Sequence, residues 1–119
     1  MNRHQERIPH YLRQILESIE LINTYLDCVE KKDFFADRHN QDAVIRRLEI
    51  IGEAASRIDK ADEQFIEKYP YLQLKGAYGM RNRLSHGYDQ INLDTVWLVV
   101  TEHLPSMQAA IAEFLPNAK

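Results

Sequence analysis

The fold of this chain is decided by a stretch in its first half, QDAVIRRLEIIGEA, which covers residues 41–54. Apolar residues recur in and just beyond it at the three- and four-residue spacing of a helix face: Val44, Leu48, Ile51, Ala55 and Ile58. The face is widened by Ala43, Ile50 and Ala54, and Asn40 is the predicted cap. The stretch therefore predicts a helix with more than one packing partner.

The remaining surface of this helix carries a row of charges and one glycine. Asp42, Arg46, Glu49 and Glu53 follow one another at spacings of four, three and four, so they are predicted to pair along one ridge. The plainest interpretation of the row is a solvated helix surface. Gly52 costs about 1 kcal/mol relative to alanine inside a helix, which predicts a close helix crossing at that point.

The other apolar periods predict further helices on either side. They cover residues 9–30, 62–69 and 71–85, and a last helix that Asp94 caps and Pro105 kinks. Residues 31–40 read as a polar connection in which Phe34 and Phe35 plug one end of the bundle. The expected fold is an all-α antiparallel bundle of about five helices, in a single domain over residues 1–119.

Composition and charge narrow the class of protein. A net charge of -3 argues against a protein that coats nucleic acid, so RNA contact requires a local patch, for which the candidates are Arg46, Arg47, Lys75, Arg81 and Arg83. The single cysteine, Cys28, falls in a helical pattern and is predicted to be a small buried or half-exposed thiol. With no signal-type or membrane-spanning apolar run, the chain is expected to be soluble and cytoplasmic.

The candidate functional residues are concentrated in GMRNRLSHGY, residues 79–88. On a helix, Asn82 and His86 share one face, so the amide can hold one imidazole nitrogen and leave the other free. Arg81 and His86 lie about 140° apart around the axis, so a single regular helix cannot direct both at one atom. Either Gly87 breaks the helix or two copies of the chain meet. Without further information, a charged helix terminus closed by Gly87 explains the stretch equally well.

Arg81, His86 and Tyr88, with four residues and then one between them, resemble the signature of HEPN domains of the HepT toxin type. The likeness extends to residues 41–54, 79–82 and 96–97 in the expected order. It implies a helical bundle, a homodimer that brings two signatures into one cleft, and metal-independent ribonuclease activity. It also implies an antitoxin partner, a minimal nucleotidyltransferase that adds AMP to Tyr88. Three departures from the pattern surround the signature: Leu74, Ala77 and Asp89.

These residue types match RNA cleavage by the substrate's own 2'-hydroxyl. His86 is the predicted proton shuttle and Arg81 the cation that grips phosphate, while Asn82 and Arg46 are supporting residues. The RNA is expected to be transfer or messenger RNA. No cofactor is expected, and a metal site is a poor rival because the five histidines show no paired ligand spacing. The serious alternative is a non-catalytic helical partner of a nucleotidyltransferase.

Overall fold

The computed structural model describes residues 7–86 and 91–115, and from residue 81 to residue 86 it describes the backbone alone. Every regular element in these two ranges is helical, which confirms the all-α class. The α-helices are α1 (Ile8–Tyr25), α2 (Lys31–Ala36), α3 (Arg38–Ala61), α4 (Glu63–Lys68), α5 (Leu74–His86), α6 (Leu93–Leu98) and α7 (Leu104–Phe114). A 3-10 turn, Pro70–Leu72, precedes α5, and a π-helical segment, Val99–His103, joins α6 to α7.

The long helix α3 packs against both α1 and α5. Its predicted stripe is confirmed, since Val44, Leu48, Ile51, Ala55 and Ile58 are all fully buried. Gly52 is buried on the same helix. The wide apolar face seen in the sequence therefore exists because α3 has a neighbour on each side.

The caps at the top of α3 differ from the prediction. Asp37, not Asn40, is the N-cap, and its carboxylate accepts a hydrogen bond from the Asn40 backbone N–H at 3.1 Å. Asn40 already lies inside the first turn, where its side-chain amide donates to the Tyr25 carbonyl at 3.3 Å. The asparagine thus satisfies a carbonyl at the C-terminus of α1 instead of starting α3.

Helix α1 is shorter than predicted. It ends at Tyr25, with Leu26 as its C-cap, and Cys28 adopts a left-handed conformation at φ 60°. The apolar period misled because Leu26 and Val29 still pack against the core from the turn after the helix. The prediction for Cys28 was also wrong, since the thiol lies outside the helix and is exposed.

The first connection contains a helix of its own, α2, which the sequence predicted only as a polar link. Phe34 is fully buried and Phe35 is partly buried against the core, so the predicted plug is confirmed. Gln41 of α3 fixes this plug, because its amide donates to the carbonyls of Phe34 and Phe35 at 3.0 and 3.1 Å. We call the part of the bundle around α2 the α2 end.

Contacts between successive elements establish that the bundle is antiparallel. The bond from Asn40 to Tyr25 places the start of α3 beside the end of α1. Helix α6 begins beside α2, where Lys31 pairs with Asp94 at 2.9 Å. Helix α5 packs along α3 as well.

The last helical stretch begins and bends differently from the prediction. Asn92 is the cap, accepting from the backbone N–H groups of Asp94 and Thr95 at 2.8 and 3.2 Å, while Asp94 lies in the first turn. Pro105 has no N–H to donate, and just before it the helix widens into the π segment, in which the Leu104 backbone N–H donates to the Val99 carbonyl.

Among the described residues, no helix is long and apolar enough to cross a bilayer.

Candidate functional site

The candidate signature lies on the C-terminal half of α5, which is one uninterrupted helix through His86. Arg81, Asn82 and His86 therefore share one helix axis, as the sequence predicted. Tyr88 and Gly87 lie outside the described residues, and so does the departure at Asp89. The sequence left open whether a break in the helix turns Arg81 and His86 toward each other. No break occurs between these two residues, because one helix carries both.

The two faces of α5 have different surroundings. Leu74 and Ala77 are 1% and 3% exposed, so this face of the helix packs into the core. Arg81 follows them at spacings of seven and four and has its backbone on the same face. The two upstream departures from the family pattern are therefore core positions, filled by a leucine and an alanine.

His86 stands on the other side of the helix. It lies seven residues after Gly79, which is two turns along almost the same line, and Gly79 is partly exposed. Asn82 lies between them, four residues before His86. The continuous helix thus separates the arginine position from the histidine position around its axis.

The α2 end contacts α6, the first described helix after α5. The buried ring of Phe34 lies against Trp97 of α6, with ring centroids 5.5 Å apart, and the ion pair of Lys31 and Asp94 lies beside the α6 cap. Helix α6, which begins seven residues after His86, is thereby held against α2. The sequence marked Trp97 through the apolar period of the last helix and through the family likeness, but did not connect it with Phe34.

The role of Gln41 in fixing α2 was not predicted from the sequence. Its two bonds to α2 carbonyls hold Phe34 in place, and Phe34 in turn contacts Trp97. Nothing in the apolar period marks Gln41, because its partners are backbone carbonyls of a segment that the sequence left without structure. Its only sequence signal was its place in the family-like stretch 41–54.

Arg46 is exposed on α3 and is not paired as predicted. Asp42 pairs instead with Arg38 at 3.2 Å, and Glu53 pairs with Arg57 at 2.7 Å, each four residues apart. Within the described ranges, Arg46 takes part in neither a hydrogen bond nor an ion pair. The predicted row is therefore replaced by two local pairs, and Arg46 stands on the solvent side of α3, away from the buried arc that contacts α1 and α5.

No group of three or more histidine, cysteine, aspartate or glutamate side chains is placed to hold a metal ion in residues 7–80 and 91–115. Of the chain's histidines, His10, His39 and His103 lie in these ranges and are exposed, each on a different helical segment. The described side chains thus offer no metal-binding cluster.

Comparison with known proteins gives a family match and several relatives. The family described as Ribonuclease HepT-like matches residues 15–114. A "Gamma-glutamylcyclotransferase and putative RNase" of Methanocaldococcus jannaschii is 40% identical over 105 residues, which cover 88% of this chain but 46% of that relative. A "Putative RNase" of the same organism is 35% identical over 90% of this chain and 86% of its own length.

A third relative is the "Probable ribonuclease HepT" of Thermococcus cleftensis, which is 37% identical over 82% of this chain and 86% of its own length. No solved structure gives a significant match. The family match covers α5 with Arg81, Asn82 and His86, as well as the central helix α3 and the elements of the α2 end. On this evidence the chain belongs to the HepT-like ribonuclease family.

Proposed function

We propose that this chain is the ribonuclease toxin of a toxin–antitoxin pair and that it cleaves RNA, either transfer or messenger RNA, without a metal ion. The observation that carries the proposal is the presence of Arg81, Asn82 and His86 on one continuous helix in a chain of the HepT-like ribonuclease family. Arginine and histidine supply the two things that the reaction needs, a permanent cation and a proton carrier.

In the proposed reaction, the 2'-hydroxyl of the substrate attacks the adjacent phosphorus. His86 accepts the hydroxyl proton as the new O–P bond forms, and the bond to the 5'-oxygen of the next nucleotide breaks. That oxygen leaves with a proton, and the products are a 2',3'-cyclic phosphate and a 5'-hydroxyl. Arg81 stabilises the negative charge that builds up on the phosphate oxygens, and Asn82 orients the imidazole.

The geometry of α5 supports a homodimer as the active species. Arg81 and His86 are about 140° apart around one unbroken helix axis, so their positions in one chain diverge. A second copy supplies an arginine to meet the histidine of the first, and a second imidazole for the leaving oxygen on the opposite side of phosphorus. Dimerisation is thus part of the proposed mechanism.

Regulation is proposed to occur at Tyr88 through a partner nucleotidyltransferase. The phenol oxygen attacks the α-phosphate of ATP, pyrophosphate leaves, and AMP remains attached to the tyrosine. Tyr88 is two residues beyond His86, so the added phosphate is close to the proposed active site along the chain. The attached anion competes with RNA for Arg81 and obstructs the cleft.

Cleavage of a defined RNA in EDTA tests the enzyme proposal. Wild-type protein is expected to leave a 2',3'-cyclic phosphate and to spare an all-deoxy strand of the same sequence. His86→Ala and Arg81→Ala should each abolish cleavage, with melting temperatures close to wild type, because both residues are assigned to the site. His39→Ala, an exposed histidine of α3, is the matched control and should retain full activity.

Equal cutting of the deoxy strand would contradict 2'-hydroxyl attack, and unfolding of the two variants would favour a purely structural helix terminus. Wild type that binds the nucleotidyltransferase but never cleaves RNA would favour the non-catalytic partner. Sedimentation of the same preparations tests the dimer, which an active monomer would exclude.

The AMP proposal is tested by incubating the protein with a minimal nucleotidyltransferase and ATP. Intact mass should rise by one AMP for wild type and stay unchanged for Tyr88→Phe, and modified wild type should lose RNA cleavage. Tyr78→Phe is the matched control and should be modified like wild type. Equal modification of the Tyr88→Phe protein would place AMP elsewhere, and a modified protein that still cuts RNA would refute the regulatory step.

A further inference from the structure

Helix α5 has a charge pattern unlike that of the other long helices. It carries Lys75, Arg81 and Arg83 and no acidic residue, although the chain as a whole has a net charge of -3. In α1 and α3, by contrast, acidic and basic residues are mixed. Among α1, α3 and α5, the excess of cations over acidic residues is therefore largest on the helix that holds the candidate signature.

The same helix contains features that cost stability and that no contact among the described residues explains. Gly76 and Gly79 each cost about 1 kcal/mol relative to alanine inside a helix. A Cβ built on either one meets no described atom within 4 Å, so neither glycine is required by a close approach within the described chain. Lys75 lies in the first turn, where the helix dipole disfavours a cation, and it has no acidic partner in the described ranges.

These residues line up with the candidate site. Lys75, Gly79, Asn82 and His86 follow one another at spacings of four, three and four, so their backbone positions form one stripe along α5. Arg83 follows Gly79 by four residues and flanks the stripe. Lys75 is exposed, and Gly79 is partly exposed. The stripe is about 17 Å long at a rise of 1.5 Å per residue. We call this stripe, from Lys75 to His86, the α5 track.

We propose that the α5 track is the docking surface for the RNA strand beyond the cleaved phosphate. The inference rests on the proposed ribonuclease function and adds the path of its substrate. Lys75 on the track and Arg83 beside it, on a helix without acidic residues, are complementary to a phosphate backbone. Glycine without a side chain lets that backbone approach the helix closely.

The geometry around the track favours a single-stranded substrate. Lys75 holds the strand at the start of the helix, and the positions of Asn82 and His86 receive the reacting phosphate at the end. Tyr71, which is 55% exposed in the turn that precedes α5, adds an aromatic ring on which an unpaired base can stack.

The first test distinguishes RNA binding from helix stability, because one substitution should raise the melting temperature and lower the affinity for RNA. Gly79→Ala should raise the melting temperature by roughly 4 °C, since helix propensity improves and the added methyl group has space. It should nevertheless weaken binding of a fluorescein-labelled single-stranded RNA several-fold, measured in a His86→Ala background where no cleavage occurs. Unchanged RNA affinity in the more stable variant would overturn the proposal.

Charge reversal provides the second arm. Lys75→Glu should weaken RNA binding and make its dependence on salt shallower by about 0.7 in the log–log slope, the value for one lost single-strand phosphate contact. Lys60→Glu, the same change at an exposed lysine in the last turn of α3, should leave affinity and slope as in the parent. Equal effects of both substitutions would mean general electrostatic attraction and would overturn the track.

Substrate length distinguishes failure of the track from failure of the enzyme proposal. With intact His86, Gly79→Ala and Lys75→Glu should each raise KM for a long RNA by a larger factor than KM for a dinucleotide, which has a single phosphate and cannot span the track. If wild type neither binds nor cleaves RNA, the proposed function fails and the track with it. If wild type cleaves and the Gly79→Ala protein differs only in its sedimentation, the occupant of the face is a second copy of this chain and the RNA track is refuted.

Discussion

Helices α3 and α5 pack against each other, yet they follow the rules of helix stability to different degrees. Asp37 caps α3, two ion pairs stabilise its exposed side, and Lys60 lies in its last turn, where the dipole favours a cation. On α5, Lys75 lies at the unfavourable end and two glycines interrupt the interior. Conflicts between local sequence preference and fold tend to occur at functional sites. The difference is therefore what the proposed function requires, with α3 as scaffold and α5 as the helix that meets the substrate.

The largest expected effect of a scaffold change is at Leu48, which is fully buried on α3. Leu48→Ala removes apolar contacts in the core and should lower the free energy of unfolding by about 2–5 kcal/mol. Urea denaturation followed through the single tryptophan, Trp97, measures it. Activity per folded molecule should stay near wild type, because Leu48 belongs to the scaffold.

Leu98→Ala is the matched control for this prediction, since Leu98 is 50% exposed on α6. Its effect should be within about 0.5 kcal/mol, as for most exposed positions. A small loss at Leu48 together with a large loss at Leu98 would contradict the assignment of α3 as the central helix.

A smaller effect is expected at the cap of α3. Asp37→Ala removes the acceptor for the Asn40 N–H and should cost about 1 kcal/mol, whereas Asp37→Asn keeps a capping oxygen and should cost much less. Thermal melts of the three proteins measure the order. If alanine and asparagine are equally destabilising, the capping bond is not what stabilises this end of α3. If Gly79→Ala raises the melting temperature while Asp37→Ala lowers it, the contrast in stability between α5 and α3 is sharpened.

The apolar period was sufficient to predict the helical class and the buried stripe of α3. The plug formed by Phe34 was predicted from two phenylalanines in a polar connection where that period is lost. The prediction failed at helix ends, because several residues within a few positions are of a type that can cap a helix. Asn40 and Asp94 were reasonable caps by residue type, but Asp37 and Asn92 lie closer to the true starts and accept the first free N–H groups. Leu26 and Val29 continue the apolar spacing of α1 although they lie beyond its end, in the following turn. The spacing therefore predicted a helix longer than the one observed.

For the candidate site, spacing alone predicted that Arg81 and His86 diverge around a helix, and the uninterrupted α5 agrees with it. Spacing did not predict which face of α5 packs against the core. Apolar side chains occur on more than one side of α5, at Leu74, Ala77, Tyr78 and Met80. Only the packing of α5 on α3 shows that Leu74 and Ala77 are the buried ones. The ring contact of Phe34 with Trp97 was also invisible, since the two residues are far apart in the sequence.

The sequence by itself determined the helical class, the order of the signature residues and their angles around α5, because these depend on residue type and on the fixed rise and turn of a helix. The tertiary structure decided which face of α5 is buried, that α2 exists and is fixed by Gln41, and that α6 starts beside α2. Those features depend on contacts between segments distant along the chain. Such contacts form only when the entire bundle is packed, so no local pattern encodes them.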